Sequence, residues 1–227
     1  MRPDDPNLPL LRAVAEALGD LRDRVVFVGG AVAGLLVTDP LAEGIRATRD
    51  VDAIVAANFA AFQALEAELM QRGFTRDMDS GVICRWVHRE SDVLFDLMPT
   101  QPEVLGFSNR WYPYAVESAE PLDLGNGLIV RVVNAVAFIA TKLEAFKGRG
   151  AGDVLGSHDL EDILAIVDGR EALLDETRAA PETVRSAIAI AFDALLHHPD
   201  FLNALPGLIA EPDRASIVAA RLRELSR

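Results

Sequence analysis

The chain has 227 residues, 50% of them hydrophobic and 25% charged, enough for one large or two small globular domains with a substantial core. Its 22 Lys and Arg face 35 Asp and Glu, and the net charge of −13 opposes unassisted binding to a long polyanion such as DNA. Cys84 is the single cysteine, which excludes a disulfide framework and a Cys-rich zinc site and fits a reducing cytoplasm.

The opening Met1-Arg2-Pro3-Asp4-Asp5-Pro6 lacks an apolar signal core, and the longest apolar stretch, 132–140, is short and broken by Asn134. A cytoplasmic protein with no membrane segment is expected. Leu10, Leu11, Val14, Ala17, Leu18 and Leu21 mark one face of a helix over 8–21. The all-apolar run 25–28 predicts a strand buried on both faces, and 31–37 a small-residue helix ending near Asp39-Pro40. A strand over 51–55 precedes a helix over 59–71, stopped by Gly73. Residues 81–87 and 92–98 read as strands around the polar connection 88–91. The Pro-, Gly- and aromatic-rich stretch 99–126 reads as a long functional loop or irregular sheet edge, with a further strand over 128–133.

From Asn134 onward the pattern is helical, at 135–146, 158–167, 181–196 and 215–225. Strands mixed with helices, followed by helices alone, predict an α+β (mixed α/β) fold: a catalytic domain over 1–130 built on a mixed sheet, and a helical domain over 131–227.

Gly29-Gly30 closes the first strand and precedes a helix. A glycine pair lets backbone amides approach a phosphate without an intervening Cβ, and a helix N-terminus favours the anion. Asp50-Val51-Asp52 opens the next strand and places two carboxylates on one face, suited to a divalent metal. Asp96 lies among Val93, Leu94, Phe95, Leu97 and Met98, where a charge is costly unless a cation or donor offsets it. Sheet geometry bringing Asp96 beside Asp50 and Asp52 would make a three-carboxylate cage for two metals about 3.5–4 Å apart; the alternative is an aspartate pairing at a strand end.

Basic residues cluster at Arg46 and Arg49, and again at Lys142, Lys147 and Arg149, in patterns suited to a small anionic ligand such as a triphosphate. The glycine spacing is neither a Rossmann fingerprint nor a P-loop. Phosphate cradle plus carboxylates points to phosphoryl or nucleotidyl transfer.

Other residues read more plainly. On its own pattern Lys142 is a lysine with its stem buried beside Phe138, Ile139, Leu143 and Phe146, and Asp159 a first-turn acid suited to the helix dipole. Cys84 reads as core, His197-His198 as a helix end, and Trp111, Tyr112 and Tyr114 as loop anchors.

The glycine pair followed by Asp-x-Asp resembles the signature of the polymerase-β-like nucleotidyltransferase superfamily. Within it, Arg46-x-Thr48-x-Asp50-x-Asp52 and Phe95-Asp96-Leu97-Met98 resemble the AbiEii/AbiGii toxin family, found in abortive-infection and toxin–antitoxin pairs. Residues 138–149 are similar to its lysine motif and 157–163 to its last acidic motif; the likeness spans 25–168. Gly30 stands where many members have serine, and His158 where the last motif often has arginine.

The resemblance implies an NTP-dependent enzyme releasing pyrophosphate. Asp50, Asp52 and Asp96 would hold magnesium (Mg2+, with Mn2+ as a substitute), and Asp96 would activate the acceptor hydroxyl. Gly29 and Gly30 would hold the phosphates, helped by Arg46 and Lys142, and Thr48 would be nucleotide-binding. Lys142 would contact the triphosphate and Asp159 would help position the lysine or the nucleotide. The implied acceptor is an RNA such as tRNA, or a small hydroxyl compound, and the implied partner is a cognate antitoxin. A non-catalytic nucleotide- or partner-binding relative is the remaining expectation.

Overall fold

The computed structural model describes residues 4–40, 42, 45–149 and 153–227, with the Arg149 side chain outside the described set. They pack as two units, one comprising Asp4–Val32 with Ala47–Asn134, the other Ala33–Arg46 with Ala135–Arg227.

The first unit holds a seven-stranded mixed sheet. Its strands are β1 (Val26–Val28), β2 (Asp50–Val55), β3 (Phe74–Arg76), β4 (Arg85–His88), β5 (Leu94–Pro99), β6 (Glu120–Asp123) and β7 (Ile129–Val132). Their order is β3-β4-β5-β2-β1-β7-β6. The central pair β2–β5 is parallel, β1 is antiparallel to β2 and parallel to β7, and β4 and β6 run antiparallel to their neighbours. Val26, Phe27, Val51, Ala53, Ile54, Phe95 and Leu97 are fully buried, as the all-apolar runs require at the middle of a sheet covered on both faces.

Helix α1 (Leu8–Leu18) buries Leu8, Leu11, Val14, Ala15 and Leu18, spaced along one face, and packs on β2. It ends one turn earlier than the pattern predicts. Gly19, at φ 56°, turns the chain into a 3-10 segment, Gly19–Arg24, that carries Leu21 into the core. Helix α3 (Phe59–Gln71) is capped by Asn58, whose side chain accepts from the Ala61 N–H at 3.0 Å.

The second unit is helical: α2 (Ala33–Leu36), α6 (Ala135–Arg149), α7 (His158–Gly169), α8 (Leu173–Ala179), α9 (Glu182–Leu196), α10 (Phe201–Leu208) and α11 (Ala215–Leu225). Helix α6 is its hub. Ala135–Ala140 are all buried, and α6 packs on α7, α8 and α9. The segment before β2 joins this unit through Gly169, whose carbonyl accepts from the Thr38 and Asp39 N–H groups at 2.9 Å each. A Cβ at Gly169 would sit 2.7 Å from Val37, so only glycine permits that approach. Arg214 places Nε 2.8 Å from both Asp168 oxygens, and Arg170 forks onto Glu176 at 2.6 and 2.7 Å.

The mixed sheet, its helices and the helical second half follow the expectation from sequence, with four departures besides the early end of α1. The expected 31–37 helix is a 3-10 turn over Gly30–Val32 followed by the four-residue α2. The 99–126 stretch is not one loop but holds α4 (Pro102–Leu105), α5 (Tyr112–Glu117) and edge strand β6, whose Pro121 suits an outermost strand. Strand β3 is too short to show an alternation. Helices α8 and α10 are missed because one has seven residues and the other carries Pro206 and Gly207 in its interior. No helix among the described residues is long and apolar enough to cross a membrane.

Candidate active site

Register decides which acids meet. In the parallel β2–β5 pair Asp52 stands opposite Asp96, and in the antiparallel β4–β5 pair Arg85 stands opposite the same Asp96. Cross-strand partners share a face, and Asp50 lies two residues from Asp52, so three carboxylates and one guanidinium share one side of the sheet. The three acids proposed from sequence are therefore strand neighbours.

Arg85 is the member that reasoning on carboxylates alone passed over. Its Nε donates to Asp96 Oδ1 and its Nη2 to Asp96 Oδ2, each at 2.8 Å, in a bidentate fork. The same Nη2 also donates to Asp50 Oδ2. Only 8% of the Asp96 side chain and 17% of that of Arg85 reach solvent, against 33% for Asp50. Hydrogen bonding to Asp96 raises the Arg85 pKa against the cost of burial, and the charges of Asp96, Asp50 and Asp52 add to the rise. Among the described residues no three His, Cys, Asp or Glu side chains form a preassembled metal cage.

Gly29 builds the other wall. At φ 73° it adopts the left-handed conformation that glycine favours, and a Cβ there would lie 1.9 Å from Asp52 Oδ2. Gly29 thus makes room for the Asp52 carboxylate. Because α2 is a single turn, the cradle rests on the Gly30–Val32 turn rather than on a long helix dipole.

Thr48 anchors the approach to β2. Its N–H donates to Asn7 Oδ1 at 2.8 Å and its hydroxyl to the Asp50 carbonyl at 3.1 Å. Asn7 is itself buried and donates its N–H to Asp5 Oδ1 at 2.9 Å.

In the helical unit a second charged cluster gathers Lys142, Asp159, Asp162 and Arg46. Lys142 Nζ donates to Asp159 Oδ1 at 2.9 Å and to Asp162 Oδ2 at 2.7 Å. Arg46 approaches Asp162 at 3.5 Å and Glu161 at 3.9 Å. Burial disfavours the Lys142 charge, yet Asp162 and Asp159 outweigh it and raise its pKa. Ser157 caps α7, its side chain accepting from the Leu160 N–H. Asp159 therefore does more than complement a helix dipole, and Asp162, 3% exposed, is the deeper partner.

No protein-family model matches the chain, and no curated protein matches it. Solved structures do. A nucleotidyltransferase-like antigenic protein from Paracoccidioides brasiliensis superposes with a TM-score of 0.50 at 19% identity, covering 88% of this chain and 92% of its own. The antibiotic-resistance factor ANT(2'')-Ia superposes with a TM-score of 0.51 at 17% identity, covering 84% of this chain and 95% of its own. The chain has a nucleotidyltransferase-like fold.

Within that fold the remaining sequence candidates take structural places. Burial pushes the Cys84 thiol up to about 12, with Asp96 and Asp52 adding to the rise, so it is a core residue and not a thiolate nucleophile. Tyr112 donates its hydroxyl to the Met98 sulfur at 3.2 Å, anchoring α5 to β5. His197 donates from Nδ1 to the Asp193 carbonyl, 2.8 Å away, at the end of α9.

The signal for Arg85 was present in the sequence: one cation in a strand beside Cys84, facing a strand that carries a lone aspartate. Pairing it with Asp96 required the register.

Proposed function

We propose that the protein transfers a nucleoside monophosphate from an NTP to an acceptor hydroxyl, with release of pyrophosphate, as a member of the polymerase-β-like nucleotidyltransferases. The observation that carries this reading is the register: Asp50, Asp52 and Asp96 on one face, beside a positive-φ glycine that leaves space against Asp52. Carboxylate oxygens are the donors that magnesium and manganese take, and a guanidinium already held between Asp50 and Asp96 marks that spot as one for a cation. The set thus fits a divalent ion, which Asp50, Asp52 and Asp96 would hold; when bound, it would lower the pKa of the attacking hydroxyl and neutralise phosphate charge.

The chain's own residues do the rest. Asp96 is the base that takes the acceptor proton at a carboxylate oxygen. Gly29 and Gly30 present backbone to the phosphates without a Cβ in the way. Arg46, Thr48, Lys142 and Asp159 enter as nucleotide-binding residues from the AbiEii/AbiGii resemblance, with Lys142 as the triphosphate contact.

The same resemblance makes the acceptor an RNA such as tRNA, and the protein a toxin-type enzyme opposed by an antitoxin and acting in the cytoplasm. A small hydroxyl compound is the second reading. It is favoured by the net charge of −13 and by the fold shared with an antibiotic-resistance factor.

Incubation with each of four α-labelled NTPs and magnesium, with total tRNA and without RNA, tests the reading. Label in RNA that vanishes in the Asp50→Ala/Asp52→Ala variant supports the toxin-type enzyme. Pyrophosphate release stimulated by small hydroxyl compounds supports the second reading. Folded protein silent in every lane would sink both.

A further inference from the structure

Asp96 is nearly enclosed, and both its oxygens are engaged by one side chain, Arg85, which also holds Asp50. These are the oxygens that a metal would use in the proposed transferase, and a role for Arg85 in metal loading rests on that function. The guanidinium is not a passing surface contact. The β4–β5 register sets Arg85 directly across from Asp96, and the Arg85 N–H closes a turn onto the Val82 carbonyl at 3.1 Å, so its backbone is fixed where the fork forms.

We propose that Arg85 is a built-in competitor of the metal: its guanidinium takes the cation's place between Asp50 and Asp96, and a divalent ion loads only by displacing it. The donors of a hard divalent ion and of an arginine fork are the same carboxylate oxygens. A guanidinium left in place would set its positive charge against the incoming ion, so the fork gives way when the ion binds.

Metal affinity is then lowered by the work of breaking a half-buried bidentate pair. A divalent ion arriving on a triphosphate would bring both the charge to replace the guanidinium and phosphate oxygens for its planar donors to move to. Arg85 would thereby make metal loading depend on nucleotide and disfavour the free ion.

The test is a titration of the protein with Mn2+ alone, read by the electron paramagnetic resonance of the free ion, in the wild type, Arg85→Gln, and Arg85→Gln combined with Asp96→Asn. Trp86, fully buried beside Arg85 in β4, reports by its fluorescence whether the strand is intact. Arg85→Lys, which keeps the charge but not the fork, serves as the second variant should glutamine disturb the strand. The expected result is Mn2+ binding at least tenfold tighter in Arg85→Gln than in the wild type, intermediate in Arg85→Lys, and lost again on adding Asp96→Asn.

Equal affinity in the wild type and both Arg85 variants overturns the competition and leaves the transferase reading standing. A gain that survives Asp96→Asn also overturns it, because the metal then binds elsewhere. No Mn2+ binding by any folded variant overturns the competition together with the metal-dependent reading.

Discussion

The two charged clusters of this protein are built from the same groups and balanced differently. On the sheet, Asp50, Asp52 and Asp96 share one cation, Arg85, delivered by the neighbouring strand. Among the helices, Asp159 and Asp162 meet Lys142, with Arg46 a second cation at the edge. In the helical cluster the deepest member, Asp162, is closed in by Lys142, and Arg46 also approaches Glu161. In the strand cluster Asp50 is a third exposed. A buried carboxylate closed in by its cation holds helices in place, whereas carboxylates open on one side draw a cation from outside.

The largest effect expected on the chemical side is for Asp52→Ala. Nucleotidyl transfer should fall by about a thousandfold or more, the scale of losing a preorganised charge-stabilising group, with the thermal melt little changed. Activity retained within tenfold would remove the strand cluster from catalysis.

The helical counterpart is Lys142→Ala. It takes the buried cation away from Asp162 and should cost about 3–5 kcal/mol of stability, measured by urea denaturation. A wild-type melt with activity lost would leave Lys142 its triphosphate contact alone and remove the structural half of the contrast.

Gly29→Ala probes the junction of backbone and site. A left-handed φ costs a non-glycine residue about 1–2 kcal/mol, and the added Cβ displaces the Asp52 carboxylate it would touch. Transfer should drop on the order of a hundredfold, as for a misplaced catalytic group, out of proportion to the loss of stability. An activity loss no larger than the melt explains would make Gly29 a turn residue only.

The effect at Cys84 is smaller and is read in pH. Its thiol is raised from an ordinary 9.0 to about 12, so the neutral form favours the fold. That contribution is whole below pH 9 and fades as pH rises toward 12. At pH 8 the native thiol should alkylate at least about tenfold more slowly than in the urea-unfolded chain. Equal rates would show that β4 opens freely at the acidic cluster. Smallest of all, Arg46→Ala should cost less than about 1 kcal/mol, since Asp162 keeps Lys142 and Arg46 is a third exposed. A larger loss would make Arg46 a full member of the helical cluster.

Local pattern carried the strands and long helices because burial imposes period: Leu8, Leu11, Val14, Ala15 and Leu18 mark α1, and the unbroken Val26-Phe27-Val28 marks a strand covered on both faces. The turn at Gly29 and the burial of Asp96 were also legible, since a turn-forming glycine and a costly charge in an apolar run are visible in one line of text. What pattern could not supply was the partner across a strand. Nothing in the chain from Arg85 to Asp96 states that the two stand opposite, for register depends on which strands pair and in which direction. The short helices α8 and α10 and the edge strand β6 were set by packing that overrides weak or contrary propensity. The sequence by itself determined the long helices and the central strands, because hydrophobic period is a local quantity. Tertiary structure alone decided that Arg85 holds Asp50 and Asp96 and that Lys142 holds Asp159 and Asp162, because charge pairing is settled by distances between residues far apart in the chain.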